Sequence, residues 1–125
     1  MATCLIADDS KIIRMLLIKI MANLGFDIIE AEDGEEVMEI CEENMPDLII
    51  MEWRLPVMEG IDVLYKIRMN KKVAQPKIMF CSNLIDVEKI RQALDGGADD
   101  YIMKPFDEDI IATKLDILGL LDLEA

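Results

Sequence analysis

The chain has 125 residues, a hydrophobic fraction of 53% and a formal net charge of −13 at pH 7. This length fits one compact domain spanning residues 1–125, and the hydrophobic fraction excludes a disordered chain. The acidity disfavours nucleic acid and anionic membranes as partners, because both bind basic surfaces. Arg14 and Lys19 interrupt the most apolar helical stretch, so we predict no membrane span. We also predict no signal peptide, because Asp8 and Asp9 come before any long apolar run.

Strands and helices are predicted to alternate five times. The predicted strands are short apolar runs at residues 3–7, 26–31, 48–51, 77–81 and 100–103. The predicted helices cover residues 11–24, 34–43, 60–69 and 87–94, and a last helix is capped by Asp107 and runs toward Leu121. Strict alternation with short connections predicts an α/β fold in which helices cover both faces of a parallel sheet.

Two helical faces carry specific expectations. In the first helix the helical spacing is carried by seven apolar residues, which are Ile12, Ile13, Leu16, Leu17, Ile20, Met21 and Leu24. Ser10 is predicted to cap its start, and Gly25 suits its end. The apolar tail, which contains Leu115, Leu118, Leu120, Leu121 and Leu123, is interpreted mainly as core, with a docking or dimer face as the alternative.

The three cysteines, Cys4, Cys41 and Cys81, lie in apolar surroundings. Because the chain contains no CxxC pair and no histidine, a zinc site is disfavoured. We interpret the cysteines as buried reduced thiols, which indicates a cytoplasmic protein.

The most informative stretch is the third predicted strand and the residue that follows it. Four apolar residues, LIIM, suit a central strand that is covered on both faces. Pro46 precedes this stretch and Pro56 follows it, marking where the chain enters and leaves the sheet. Glu52 therefore stands at the carboxyl end of a buried strand, where open α/β sheets place their functional groups.

Polar residues also follow three other predicted strands. Asp8 and Asp9 follow the first strand, Ser82 the fourth and Lys104 the fifth. Because the carboxyl ends of parallel strands share one edge, we expect these residues to converge with Glu52. Three adjacent carboxylates repel one another, and Mg²⁺ would relieve that repulsion with oxygen ligands. A lysine and a hydroxyl beside them would bind a phosphoryl group.

Each of these residues also has a purely structural interpretation. The Asp-Asp-Ser run before a helix can serve only as a cap, Ser82 can be a turn residue, and Lys104-Pro105 can be a solvated loop. Taken one at a time, the structural interpretations are favoured. Their occurrence together at the carboxyl ends of strands that alternate with helices favours a functional site.

The chain resembles the CheY-like receiver domains of two-component response regulators along its whole length. The resemblance rests on Asp8-Asp9-Ser10, the run WRLPVMEG from Trp53 to Gly60, Ser82, the run GGADDY ending at Tyr101, and Lys104-Pro105-Phe106. It implies a flavodoxin-like, five-stranded sheet in the order 2-1-3-4-5. It also implies Mg²⁺-dependent phosphoryl transfer to this chain from a sensor histidine kinase or histidine phosphotransfer protein.

The resemblance also implies roles for individual residues. Asp9 resembles a direct Mg²⁺ ligand, Asp8 a ligand acting through water, and the Arg54 backbone carbonyl a further ligand, with the residue 52 carboxylate completing the metal site. Ser82 would hold a phosphoryl oxygen and Lys104 would pair with its charge.

Three further positions have implied roles. The Lys104-Pro105 peptide resembles one that is usually cis in this family. Tyr101 resembles the aromatic residue that turns inward when Ser82 engages the phosphoryl group. Arg54 and Leu84 occupy the positions that flank the pocket and tune the phosphoryl lifetime.

Glu52 departs from the family pattern, because it stands where the phosphoacceptor aspartate is expected. Its extra methylene adds about 1.5 Å of reach, and a misplacement near 1 Å can lower a rate by on the order of a hundredfold. Three readings stay open. Glu52 is native and the receiver signals without phosphate, its carboxylate partly imitating a phosphorylated aspartate; or Glu52 was introduced into an ordinary receiver for that purpose; or Glu52 still accepts phosphate slowly.

The expected function is that of a stand-alone receiver that signals by protein contact and is not an enzyme. With no output domain expected after residue 125, its downstream target would bind the face formed by the fourth helix, fifth strand and last helix. A small Mg²⁺-dependent phosphohydrolase that uses Asp8 or Asp9 as nucleophile is the alternative. A flavodoxin-like nucleotide carrier is disfavoured, because Asp8-Asp9 in the first loop would repel phosphate.

Overall fold

The computed structural model describes residues 2–83 and 86–121. Within these residues five strands alternate with five helices, as predicted. The strands are β1 (Thr3–Ala7), β2 (Asp27–Ala31), β3 (Leu48–Met51), β4 (Lys77–Ser82) and β5 (Asp100–Met103). The helices are α1 (Lys11–Asn23), α2 (Gly34–Glu43), α3 (Gly60–Met69), α4 (Val87–Asp95) and α5 (Glu108–Ile117).

The sheet is parallel and its strand order is β2-β1-β3-β4-β5, which confirms the predicted order. Side chains alternate between its two faces, because successive residues of a strand point in opposite directions. On one face Leu5, Ile49 and Phe80 pack in a core with α2, α3 and α4. On the other face Ile6 and Ile50 pack in a core with α1 and α5. Both faces of the central strands are therefore buried.

The starts of four helices follow from their capping residues. The side chains of Ser10, Asp33, Asp86 and Asp107 each accept a hydrogen bond from a backbone N–H in the first turn of α1, α2, α4 and α5. Such caps satisfy amide groups that have no partner within the helix. The capping roles predicted for Ser10 and Asp107 are confirmed.

The predicted end of the last helix was wrong. Helix α5 ends at Ile117 and does not run on toward Leu121. Gly119 has a φ of +75°, and the Leu120 N–H turns back to bond the Leu115 carbonyl at 2.9 Å. This arrangement closes the helix, and a glycine adopts it without steric cost. Leu115 is buried, and Leu118, Leu120 and Leu121 pack partly buried against the core, whereas Leu123 lies outside the described residues.

The apolar residues of α1 do not all face the core. Leu17, Ile20 and Met21 are buried, but Ile12 is 78% exposed and Leu16 is 42% exposed. Arg14 takes a place in the buried face instead. An arginine at a core position calls for a specific partner, because a buried charge is costly unless it is paired.

The three cysteines are free and buried, as predicted. Burial raises the pKa of the Cys41 thiol to about 11 and that of the Cys81 thiol to about 12. Among the helices of the described residues, none has the length and apolar character needed to cross a membrane.

Candidate functional site at the carboxyl edge of the sheet

The sheet register brings four predicted site residues to one edge. Asp8 and Glu52 follow the paired residues that end β1 and β3, Ser82 ends β4, and Lys104 follows β5. Two backbone hydrogen bonds extend the ladder beyond the strands. The Glu52 N–H donates to β1 at 3.0 Å, and the Lys104 N–H donates to the Ser82 carbonyl at 2.9 Å. The predicted convergence of these four side chains is therefore observed.

Lys104 joins two carboxylates at the centre of the site. Its Nζ lies 2.8 Å from Asp8 Oδ2 and 2.8 Å from Glu52 Oε2. All three side chains are largely buried, with exposed fractions of 16%, 2% and 9% for Lys104, Asp8 and Glu52. Burial by itself lowers the pKa of Lys104, but the hydrogen bonds to Asp8 and Glu52 outweigh that effect and hold the pKa above its ordinary value. Lys104 is thus a protonated bridge between the two carboxylates at neutral pH.

Both carboxylate oxygens of Glu52 are hydrogen-bonded. Oε1 accepts from the Ser82 hydroxyl and from the backbone N–H of Trp53 at 3.0 Å, with a longer contact of 3.5 Å to the N–H of Arg54. Oε2 accepts from Lys104. The longer side chain folds back over its own loop, and its charge is surrounded by donors from three different strand ends. This donor set is what a bound anion requires at this place.

Asp8 and Asp9 have different environments although they are neighbours. Asp8 is 1% exposed, and its Oδ1 accepts the Ser10 N–H at 2.9 Å. Asp9 is exposed. In residues 2–83 and 86–121, no three His, Cys, Asp or Glu side chains form a group able to hold a metal ion. The predicted place of Asp9 beside Asp8 and Glu52 stays a prediction.

The chemistry of the predicted metal ligands still fits Mg²⁺. Asp8, Asp9 and the Arg54 carbonyl are oxygen donors, and Mg²⁺ commonly keeps several waters while using only one or two carboxylates. Glu52 fits less well as a ligand, because both its oxygens already accept hydrogen bonds. The Mg²⁺ ligands named from the sequence stay a prediction.

Tyr101 faces inward. Its side chain is 7% exposed, and its ring centroid lies 6.1 Å from that of Phe80. Burial raises the pKa of the Tyr101 hydroxyl, and a side-chain hydrogen bond with Ser82 partly offsets that increase. Glu52, Ser82 and Tyr101 therefore form a connected series that leads from the centre of the site to β5.

Three further predictions concern the Lys104–Pro105 peptide, Arg54 and Leu84. The Lys104–Pro105 peptide bond is cis, as predicted. Arg54 is exposed, and its predicted flanking role stays a prediction. Leu84 lies outside the described residues.

Arg14 is part of this region and was missed in the sequence analysis. Its Nη1 donates to the Asp8 backbone carbonyl at 2.7 Å. The signal was present in the helical spacing, because Arg14 lies three residues before Leu17 and shares its buried face.

Comparisons with known proteins agree with this fold. Residues 4–116 match the family described as the response regulator receiver domain. The chain is 37% identical over 106 residues to the chemotaxis protein CheY of Bacillus subtilis, a match that covers 84% of this chain and 87% of that protein. Together with the five-stranded sheet and its acidic edge, these matches show that the chain belongs to the receiver domains of two-component response regulators.

Longer proteins and solved structures are also similar. The alkaline phosphatase synthesis transcriptional regulatory protein PhoP of Bacillus subtilis is 37% identical over 102 residues, covering 82% of this chain but 42% of PhoP. The structure of CheY4 from Vibrio cholerae has a TM-score of 0.86 at 26% identity and covers 94% of this chain and 98% of that chain. A two-component response regulator from Clostridium difficile has a TM-score of 0.87 at 28% identity, covering 95% and 96%.

Membership in this family decides between the classes considered above. Receiver domains are signalling proteins and not classical enzymes, so the phosphohydrolase alternative has no support. They interact with histidine kinases and downstream targets, and they generally bind Mg²⁺ at their acidic phosphorylation site.

Proposed function

We propose that this chain is a receiver that holds its signalling conformation without a phosphoryl group, because the Glu52 carboxylate makes the contacts that the phosphoryl group would make. One observation carries the proposal. The two residues expected to bind phosphoryl oxygens, Ser82 and Lys104, both donate to Glu52. A chain with the shorter aspartate would bring its carboxylate about 1.5 Å less far into this donor set.

The position of Tyr101 supports the proposal. In the family this aromatic residue is expected inside when Ser82 engages a phosphoryl group, and here it is buried and bonded to Ser82. Ser82 meanwhile donates to Glu52. We infer that the contact of Glu52 with Ser82 favours the inward position of Tyr101 without a bound phosphoryl group. The imitation is partial, because a carboxylate carries one negative charge and a phosphoryl group carries about 1.5 to 2.

The same contacts support two explanations for the presence of Glu52. Glu52 is either the native residue of an atypical receiver or a replacement for an aspartate in an ordinary one. The retention of Asp8, Ser82 and Lys104 in their expected places fits a site that once accepted phosphate. Asp8, Asp9 and the Arg54 carbonyl would hold Mg²⁺, which would supply positive charge beside the acceptor.

The surface that passes on the signal is proposed to be the face of α4, β5 and α5. It carries five exposed apolar side chains, which are Val87, Leu94, Met103, Ile110 and Ile117. An apolar patch on a surface is typical of a protein-binding site, so these exposed side chains support the proposal. Tyr101 lies in β5, so its inward position alters this face directly. A second copy of the chain is one candidate partner, and concentration-dependent sedimentation would detect that homodimer. The cytoplasmic location stays a prediction that rests on the three free thiols.

Phosphorylation in vitro tests the proposal. The wild-type chain and Glu52→Asp are each incubated with Mg²⁺ and acetyl phosphate, and their intact masses are measured. We expect the wild-type mass to stay unchanged while Glu52→Asp gains one phosphoryl group, which also proves that the pocket and reagents are competent. A base-labile phosphoryl adduct on Glu52 of the wild-type chain would contradict the proposal and support slow phosphorylation instead.

A further inference from the structure

Arg14 is a buried cation that the proposed function does not yet use. It is 7% exposed and lies in the first turn of α1. Its guanidinium makes three contacts, to Glu30 Oε1 at 3.3 Å, to Glu32 Oε1 at 3.4 Å and to the Asp8 backbone carbonyl at 2.7 Å. The guanidinium spreads five N–H donors over three nitrogens in a rigid plane, so it reaches acceptors farther apart than the compact ammonium of a lysine can.

The two glutamates do not explain why Arg14 is there. Their side chains are 54% and 70% exposed, and ion pairs with such solvated partners contribute little to stability. The start of a helix is also an unfavourable place for a cation, because the helix dipole is positive there. Helices α2 and α5 follow that rule with acidic residues in their first turns, whereas α1 has none.

The contact with the Asp8 carbonyl explains why Arg14 is buried at this position. The ladder between β1 and β3 ends at the pair Ala7 and Met51, so the Asp8 carbonyl lies just beyond the last pair of the ladder. A buried carbonyl without a donor is costly. Helical side chains lean toward the amino terminus of their helix, which brings the Arg14 guanidinium back over this carbonyl. Its contact there is the shortest of the three.

We propose that Arg14 is a positioning residue for the switch, by which we mean the contact series Asp8–Lys104–Glu52. By fixing the Asp8 main chain, it sets the direction of the Asp8 carboxylate, whose Oδ1 accepts the Ser10 N–H and whose Oδ2 holds Lys104. Lys104 is thereby directed toward Glu52. The inference rests on the proposed function only in treating the Asp8–Lys104–Glu52 series as the switch.

Two readouts report this positioning separately from stability. The backbone amide signal of Ser10 in a ¹⁵N NMR spectrum reports the Asp8 carboxylate. The rate at which trace acetic anhydride acylates Lys104, measured by mass spectrometry relative to exposed Lys71, reports whether Lys104 is held. Neither readout depends on whether Glu52 accepts phosphate, so failure of this inference and failure of the proposed function are distinct results.

The variants are chosen to separate the carbonyl contact from the ion pairs. Arg14→Met keeps the unbranched stem and removes every donor. Arg14→Lys keeps a charged donor group on a single nitrogen, and the double variant Glu30→Gln/Glu32→Gln removes only the acidic partners. We expect Arg14→Met to shift the Ser10 amide and to raise Lys104 acylation about tenfold, the effect of losing one charge-assisted hydrogen bond. We expect Arg14→Lys to restore both readouts toward wild type, and the double variant to leave them unchanged.

Two outcomes would overturn the inference. One is a folded Arg14→Met protein with a lowered melting temperature but wild-type Ser10 and Lys104 readouts, which would make Arg14 merely structural. The other is a double glutamine variant that reproduces the Arg14→Met effects. If circular dichroism shows that Arg14→Met is unfolded, Arg14→Gln, which is shorter and uncharged, takes its place. A shifted Ser10 amide and faster Lys104 acylation in this variant support the inference, and wild-type readouts contradict it.

Discussion

Replacing Glu52 by glutamine removes one negative charge from the site and hardly changes its shape. The amide can still accept from Ser82, but its nitrogen would face the Lys104 ammonium that now lies 2.8 Å from Oε2. A hydrogen bond to a charged group contributes about 1.5–3 kcal/mol. Lys104 keeps its bond to Asp8 at 2.8 Å, so the loss is smaller than that of a fully orphaned buried charge. We therefore expect Glu52→Gln to lower the free energy of unfolding by about 2 kcal/mol, which corresponds to roughly 8 °C in Tm for a domain of this size.

Urea unfolding followed by tryptophan fluorescence measures this change. Trp53 is the one tryptophan of the chain, and it is buried beside Glu52, with 4% of its surface exposed. Glu59→Gln is the matched control, because Glu59 lies in the same loop, is exposed and makes no capping hydrogen bond. The control should change stability by less than about 0.5 kcal/mol. If Glu52→Gln were as stable as the control, the hydrogen bonds assigned to the Glu52 carboxylate would not hold the site together.

Three other changes test the surrounding structure. Val57→Gly should stabilise the chain by about 1 kcal/mol in urea unfolding, because Val57 has a φ of +68° that strains a β-branched residue, and unchanged stability would argue against that strain. Gly34→Ala should lower the free energy of unfolding by about 3 kcal/mol in the same assay, because an added Cβ would lie 1.9 Å from the Met58 carbonyl oxygen. A decrease below about 1 kcal/mol would show that the loop around Met58 moves aside at little cost. Cys41 and Cys81 should resist a thiol reagent at pH 8 until urea unfolds the chain, because burial raises their pKa values to about 11 and about 12. The stability that the neutral thiols contribute is present below about pH 9 and is lost as the pH rises toward those values. Rapid labelling of the folded chain would contradict the burial of these thiols.

The fold was predictable because its signals are local. Runs such as LIIM mark a strand buried on both faces, and Ser10 and Asp107 fix helix starts through hydrogen bonds within one turn. Element ends were less predictable. The end of α5 depends on Gly119 adopting a positive φ, and the apolar residues after it continue the helical pattern without belonging to the helix.

The sequence predicted which residues meet at the site, but not how their side chains are oriented there. The sequence placed Asp8, Glu52, Ser82 and Lys104 together, because a parallel sheet collects its strand ends. It did not reveal that Asp8 turns in while Asp9 stays exposed, since neighbouring side chains leave a strand end in different directions. Nor did it reveal that Arg14 bonds the Asp8 carbonyl, a contact between a helix and a strand end that depends on how the two pack.

The central claim is that Glu52 holds Tyr101 inward without phosphate, and ¹³C-labelled tyrosine tests it most directly. The chain has two tyrosines, and Tyr65, whose hydroxyl bonds Gln92 at 3.1 Å, provides an internal reference. In NMR spectra recorded without any phosphodonor, we predict contacts between the Tyr101 and Phe80 rings in the wild-type chain. We predict their loss in Glu52→Ala, with the Tyr65 signal unchanged. Tyr101–Phe80 contacts that persist unchanged in Glu52→Ala would show that Tyr101 lies inward whatever occupies position 52, and would contradict the account.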